Sequence, residues 1–156
     1  MDWERWRADG IRLGIGTDGC ASSNDLDMWQ VMRQATHLAA LTSGRPDVDA
    51  TAVLRAATID GAAALGLDGL LGSIEVGKRA DLVLLDLEQP HLTPVHDVAA
   101  LLVHAAGRGD VSHVLVDGRI VVSERRSTLL DTRHLLERCR TRARDAAAAA
   151  LAAQEA

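Results

Sequence analysis

The chain has 156 residues, a formal net charge of −5 and 47% hydrophobic residues, with no Phe or Tyr and only Trp3, Trp6 and Trp29 as aromatics. That length bounds it at one small domain or a piece of a larger one, and the acidic balance excludes the basic face that a nucleic-acid binder presents. Cys20 and Cys139 are too few and too far apart for a disulfide framework, and no signal-peptide pattern or bilayer-length apolar run appears, so a cytoplasmic setting is expected.

Taken in chain order, Met1 to Gly10 reads as the final turns of a helix with Trp3 and Trp6 on one side, closed by Asp9-Gly10. Residues 11–17 follow as a short apolar strand, of the kind buried on both faces of a parallel sheet. Ser22, Ser23, Asn24 or Asp25 then offers a helix N-cap, and a helical pattern runs to about Thr42 with Trp29, Met32, Thr36 and Ala39 or Ala40 on one stripe. Strand then helix is half of a βα repeat. From Val48 to Leu65 the chain is Ala-rich and helical, started by Asp47 or Asp49 and broken by Gly61 and Gly66 into two short helices.

Beyond Gly66 the period changes. Gly72 to Lys78 is a turn-rich strand-pair signal, Ala80 to Asp86 is a strand, and Val114 to Val122 is a hairpin around Asp117-Gly118. Val95 to Ala106 is a helix-like stretch between those strands, and Thr132 to Ala153 is a long, charged, Ala-rich terminal helix. A core built so heavily from Ala, Leu and Val buries little area per residue and is marginal on its own.

Asp18 is the first candidate for chemistry. A carboxylate at the end of a buried strand, followed by a small-residue loop and a helix, sits where barrel enzymes place catalytic groups. Burying it demands pairing, hydrogen bonding or a metal. The same spacing suits a second role, in which Asp18 caps the loop through an Asx-turn to Gly19 or Cys20. The six histidines, His37, His91, His96, His104, His113 and His134, contain no His-x-His pair and no His-Glu-x-x-His helix. His37 is read as an exposed or satisfied helix side chain. His91 lies on a loop, where it either reaches a pocket or pins the turn, and His104 and His113 flank the turn Gly107-Arg108-Gly109 as structural residues. Cys20 has no His or Asp arrangement that would make it a nucleophile and is read as a small loop residue. Gly14-x-Gly16 lacks the third glycine of a dinucleotide fingerprint and is read as close packing at a barrel strand.

Three stretches together resemble the amidohydrolase superfamily, in its branch of chlorohydrolases and aminohydrolases acting on triazines, guanine-like bases and adenosine-derived nucleosides. They are Gly16-Thr17-Asp18-Gly19-Cys20-Ala21-Ser22-Ser23-Asn24-Asp25-Leu26-Asp27-Met28, then Ala57 to Leu67 continuing through Leu71 to Val83, and Val111 to Arg119. Their order and spacing match the family over about residues 10–125. The resemblance implies a distorted (β/α)8 barrel flanked by a small β-sandwich, and metal-assisted hydrolysis of a C–N or C–halogen bond on a heteroaromatic ring. It places Asp18 at the end of the eighth barrel strand, as a metal-touching carboxylate that takes a proton from the bound water and returns it to the leaving group. Asn24 matches a substrate-side position near the active-site loop, with helix capping as its other role.

The resemblance also implies what this sequence does not contain. The family's metal, zinc or iron, is otherwise held by a His-x-His pair on the first strand and by histidines on the fifth and sixth, and none of these is present. A barrel needs about 250 residues, and a catalytic zinc needs three protein ligands. The expected fold class is therefore α/β: the last strand-helix unit of a barrel over residues 1–66, the β-rich sandwich portion with an inserted helix over 67–128, and a terminal helix over 129–156. The chain alone is expected to bind no metal and to be inactive, with a small heteroaromatic substrate bound only when a missing N-terminal part completes the site. A complementing chain or a second copy is the expected partner, with neither nucleic acid nor membrane. The alternative is a non-catalytic remnant or interaction module, and an unrelated small α/β protein would make the three matched stretches coincidence.

Overall fold

The computed structural model describes residues 3–154. Among the described residues six α-helices and a four-stranded sheet precede a long terminal helix, a mixed α/β arrangement. Helix α1, Trp3–Ala8, is followed by a turn through Gly10, whose φ is 72°; Met1 and Asp2 of the expected helix lie outside the described residues. Helix α2, Cys20–Ser23, is a single turn, and α3, Met28–Ser43, follows. The cap of α3 is Asp27 and not one of residues 22–25, because Asn24 adopts a left-handed φ of 58° that closes α2 and ends its helical run. The expected stripe is the buried one, with Met32, Thr36 and Ala39 facing inward.

Helices α4, Ala50–Ala56, and α5, Ile59–Ala64, form the Ala-rich pair, and Asp49 caps the first by accepting from the Thr51 amide. The break falls at Ala57-Thr58, while Gly61 lies inside α5. A close approach explains that glycine. A Cβ on Gly61 would stand 2.8 Å from the Ala56 carbonyl oxygen, and one on Gly14 would stand 3.0 Å from the Gly61 Cα. The close packing expected of Gly14 is thus against α5, and Gly16 has open space around it.

Residues 11–19 form no strand. A ladder needs a neighbouring strand, and the backbone bond reaching this segment from α4 is that of the Ile15 amide to the Ala56 carbonyl, 3.2 Å. Leu13, Ile15 and Thr17 are half-buried while Arg12, Gly14 and Gly16 are exposed, so the segment covers the helices with one face only. Residues 72–78 are also not strands. There Lys78 Nζ donates to Ser73 Oγ at 2.6 Å and the Lys78 amide to the Glu75 carbonyl at 3.2 Å, which folds the segment back on itself as a turn.

Strands β1, Leu82–Leu85, β2, Val111–Val116, β3, Arg119–Ser123, and β4, Arg126–Ser127, pair antiparallel in sequence order. Val83 faces Val114, and Val114 faces Val122. Asp117 and Gly118 both take positive φ, 50° and 77°, as a two-residue hairpin turn requires. Between β1 and β2, helix α6, Val98–His104, packs on α3 and α4 and puts Val103 into their core. That core is Trp3, Met32, Ala39, Val53, Ala56 and Val103, with Leu13 and Ile15 packed against it. Helix α7, Thr132–Gln154, closes the chain.

Candidate functional site

The extended segment delivers Asp18 to the surface just before α2. Its φ of 56° lies in the left-handed region, which Asp tolerates better than most residues but which still carries a cost. Both carboxylate oxygens are engaged: the Gly19 amide donates to Oδ1 at 2.7 Å and the Ser22 hydroxyl to Oδ2 at 2.8 Å. The Ser22 hydroxyl, and after it the Gly19 amide, holds the Asp18 carboxyl below the usual carboxylate range, so it stands ionised at neutral pH. A capping contact to Gly19 therefore exists, and the exposed carboxylate also faces solvent.

Asn24 is exposed and its backbone does the capping, its amide donating to the Cys20 carbonyl at 3.0 Å. Beyond it the loop is polar: Ser23 Oγ donates to the Asp25 carbonyl at 2.6 Å, and Asp27 Oδ1 accepts from the Trp29 amide at 2.9 Å. A groove of about 390 Å3 opens beside the loop, lined by Thr17, Ser22, Asp25, Asp27, Gln30 and Gln34 among others. Arg108 pairs with two of the lining carboxylates, its Nη1 2.7 Å from Asp25 Oδ1 and its Nε 3.8 Å from Asp27 Oδ2.

The sequence offers Ser22 only as a helix-cap candidate and Arg108 only as part of the Gly107-Arg108-Gly109 turn. Ser22 is four residues after Asp18, a local spacing that a search for hydroxyl donors would find. Arg108 carries no local signal, because its partner is 83 residues away. His91 turns out to pin a turn, with Nε2 3.2 Å from the buried Asp110 carboxylate. His37 is exposed on α3, the His104 carbonyl accepts from Arg33, and His113 stands opposite Leu84 in the sheet. Cys20 opens α2, and both cysteines are free and exposed. Among the described residues no three His, Cys, Asp or Glu side chains converge where they could hold a metal ion. A catalytic zinc needs three protein ligands, so the described side chains do not fit one by themselves.

The sequence model of the amidohydrolase family matches residues 3–121. The chain belongs to the amidohydrolase family. A 5-methylthioadenosine/S-adenosylhomocysteine deaminase of Desulforudis audaxviator is 48% identical over 141 residues, which are 90% of this chain and 33% of that protein. Among solved structures, a zinc-bound adenosine deaminase from Xanthomonas campestris superposes with a TM-score of 0.83 at 43% identity, covering 86% of this chain and 31% of that one. An atrazine chlorohydrolase from Arthrobacter aurescens, complexed with zinc, gives 0.75 at 29% identity, with coverages of 85% and 30%. The chain spans about a third of the length of the curated relatives it matches. Divalent metal thus accompanies the family fold in these neighbours. No described helix is long and apolar enough to cross a membrane.

Proposed function

We propose that this amidohydrolase chain supplies the C-terminal part of a cytoplasmic hydrolase that deaminates a heteroaromatic substrate, an adenosine-type nucleoside by its relatives' names. The observation that supports this reading is an ionised carboxylate, Asp18, held at both oxygens and bonded to Ser22, which lines a polar groove, within a stretch that the family model covers. In this reading residues 1–66 are the last barrel unit, 67–128 the sandwich portion and 129–156 a terminal helix. The zinc or iron of the complete enzyme would take its further ligands from outside the described residues, among which no three metal-ligating side chains converge.

Asp18 then works as the proton carrier. Its ionised form accepts a proton from the attacking water, and the protonated acid returns it to the leaving amine, while the Gly19 amide and Ser22 hydroxyl fix the direction of its lone pairs. Asn24, exposed on the same loop, contacts substrate. Catalysis draws on the rest of the family's barrel, so these 156 residues by themselves are inactive. The test is co-expression with the N-terminal two thirds of the Desulforudis relative, followed by ammonia release from 5-methylthioadenosine. Turnover is expected only with both parts present, falling by about 10²–10⁴-fold in Asp18→Asn. Turnover that survives Asp18→Asn overturns the reading. A second reading, a non-catalytic interaction module, is favoured by the exposed apolar side chains of the sheet, Val83, Val116 and Ile120 at 52%, 49% and 52% exposure.

A further inference from the structure

The loop that carries Asp18 has little apolar anchorage. Helix α2 buries no residue, and from Asp18 to Leu26 only Asp25 is even half-buried. Where this loop stands is therefore decided by polar bonds. Those within it are local: the Gly19 amide and Ser22 hydroxyl to Asp18, the Ser22 and Ser23 amides to the Gly19 carbonyl, the Ser23 hydroxyl to the Asp25 carbonyl. They make the loop a unit without fixing that unit to the rest of the molecule.

Arg108 makes the long-range tie. It sits in a one-turn 3-10 helix, Arg108–Asp110, that is itself held from several sides. The buried Asp110 accepts from the Gly107 amide at 2.8 Å and is met by His91; Arg33 of α3 donates to the Ala106 carbonyl at 2.9 Å; Arg125, in the turn between β3 and β4, donates to the Gly109 carbonyl at 3.0 Å. From this braced turn the guanidinium lies between Asp25 and Asp27, two like charges that would otherwise repel each other beside the groove. Asp27 caps α3, so the same guanidinium reaches the start of that helix and the end of the Asp18 loop together.

We infer that Arg108 is a positioning residue for Asp18, coupling the sheet and α6 to the reacting carboxylate through Asp25 and the one-turn helix α2. The inference rests on the reading of Asp18 as the reacting group, and its test is independent of turnover. In the 156-residue chain, the Gly19 amide proton, bonded to Asp18 Oδ1, reports carboxylate placement by NMR. The amides of Ser22, Ser23 and Asn24, bonded to the Gly19 and Cys20 carbonyls, report loop opening by hydrogen exchange. Arg108→Ala is expected to shift the Gly19 proton upfield and to speed exchange at residues 22–24 about two- to fivefold, the range of an exposed ion pair. The Val53 and Ala57 amides of the core are expected to stay as they are. Arg108→Lys restores part of the effect, and the charge swap of Arg108→Asp with Asp25→Arg restores more than either change alone. An unmoved Gly19 proton with unchanged loop exchange overturns the inference, and so does a change spread evenly to Val53 and Ala57. Turnover surviving Asp18→Asn removes the chemical role of Asp18 and leaves the measured Arg108 coupling as a structural fact, so the two failures are distinguishable.

Discussion

The helical region, residues 3–66 joined by α6, and the sheet of residues 82–127 are held together by different forces. In the first, Trp3, Met32, Ala39, Val53, Ala56 and Val103 meet in one apolar cluster, and Val53 and Val103 have no exposed surface at all. In the second, no strand residue is fully buried, and cohesion comes from the ladders, the tight Asp117-Gly118 turn and polar links such as Arg125 to Asp86. The difference teaches that a substitution acts by the force its region relies on: volume and shape among the helices, hydrogen-bond geometry and charge in the sheet. The Asp18 loop belongs with the sheet in this respect, because its order is polar and not packed.

The largest effect expected from this contrast is at Trp3. Trp3→Ala removes a large buried ring and should cost about 3–5 kcal/mol in denaturant unfolding, whereas a loss under about 1 kcal/mol would mean the cluster is not the seat of stability. Next is Gly61→Ala, for which helix propensity alone forecasts a gain of about 1 kcal/mol. The contact of the new Cβ with the Ala56 carbonyl forecasts a loss of about 1–3 kcal/mol instead, so the sign of the change in midpoint decides between local and tertiary control.

In the sheet, Ile120→Thr should change stability by no more than about 0.5 kcal/mol, because half of Ile120 is already in water and Thr keeps the β-branched shape. A larger loss would show that something covers that face in solution. The smallest effect concerns Asp86, whose carboxyl is held below the ordinary range first by the Arg125 guanidinium and then by the Glu88 amide. A carboxylate depressed on folding stabilises above its unfolded pKa of about 3.9 and loses that contribution as pH falls through the folded value. Thermal melts of wild type and Asp86→Asn should therefore differ at pH 7 and converge as the pH is lowered below about 3.9. A gap that persists in acid would assign the effect to packing.

What could be read from the sequence was whatever a few neighbouring residues decide. Asp49 caps α4, Met32, Thr36 and Ala39 share a face at helical spacing, and Asp117-Gly118 turns a hairpin. Each of these signals lies within one or two turns of chain, where propensity and side-chain reach are enough. Tertiary structure decided the rest. Residues 11–17 have the composition of a strand, yet a strand exists only where another supplies its hydrogen bonds, and here the segment lies against α4 and α5. Asp27 and not an earlier residue caps α3, because the left-handed turn at Asn24 intervenes. Arg108 finds Asp25 across 83 residues only after α6 has docked on α3 and α4, since an ion pair has no sequence signature until folding brings its two charges together.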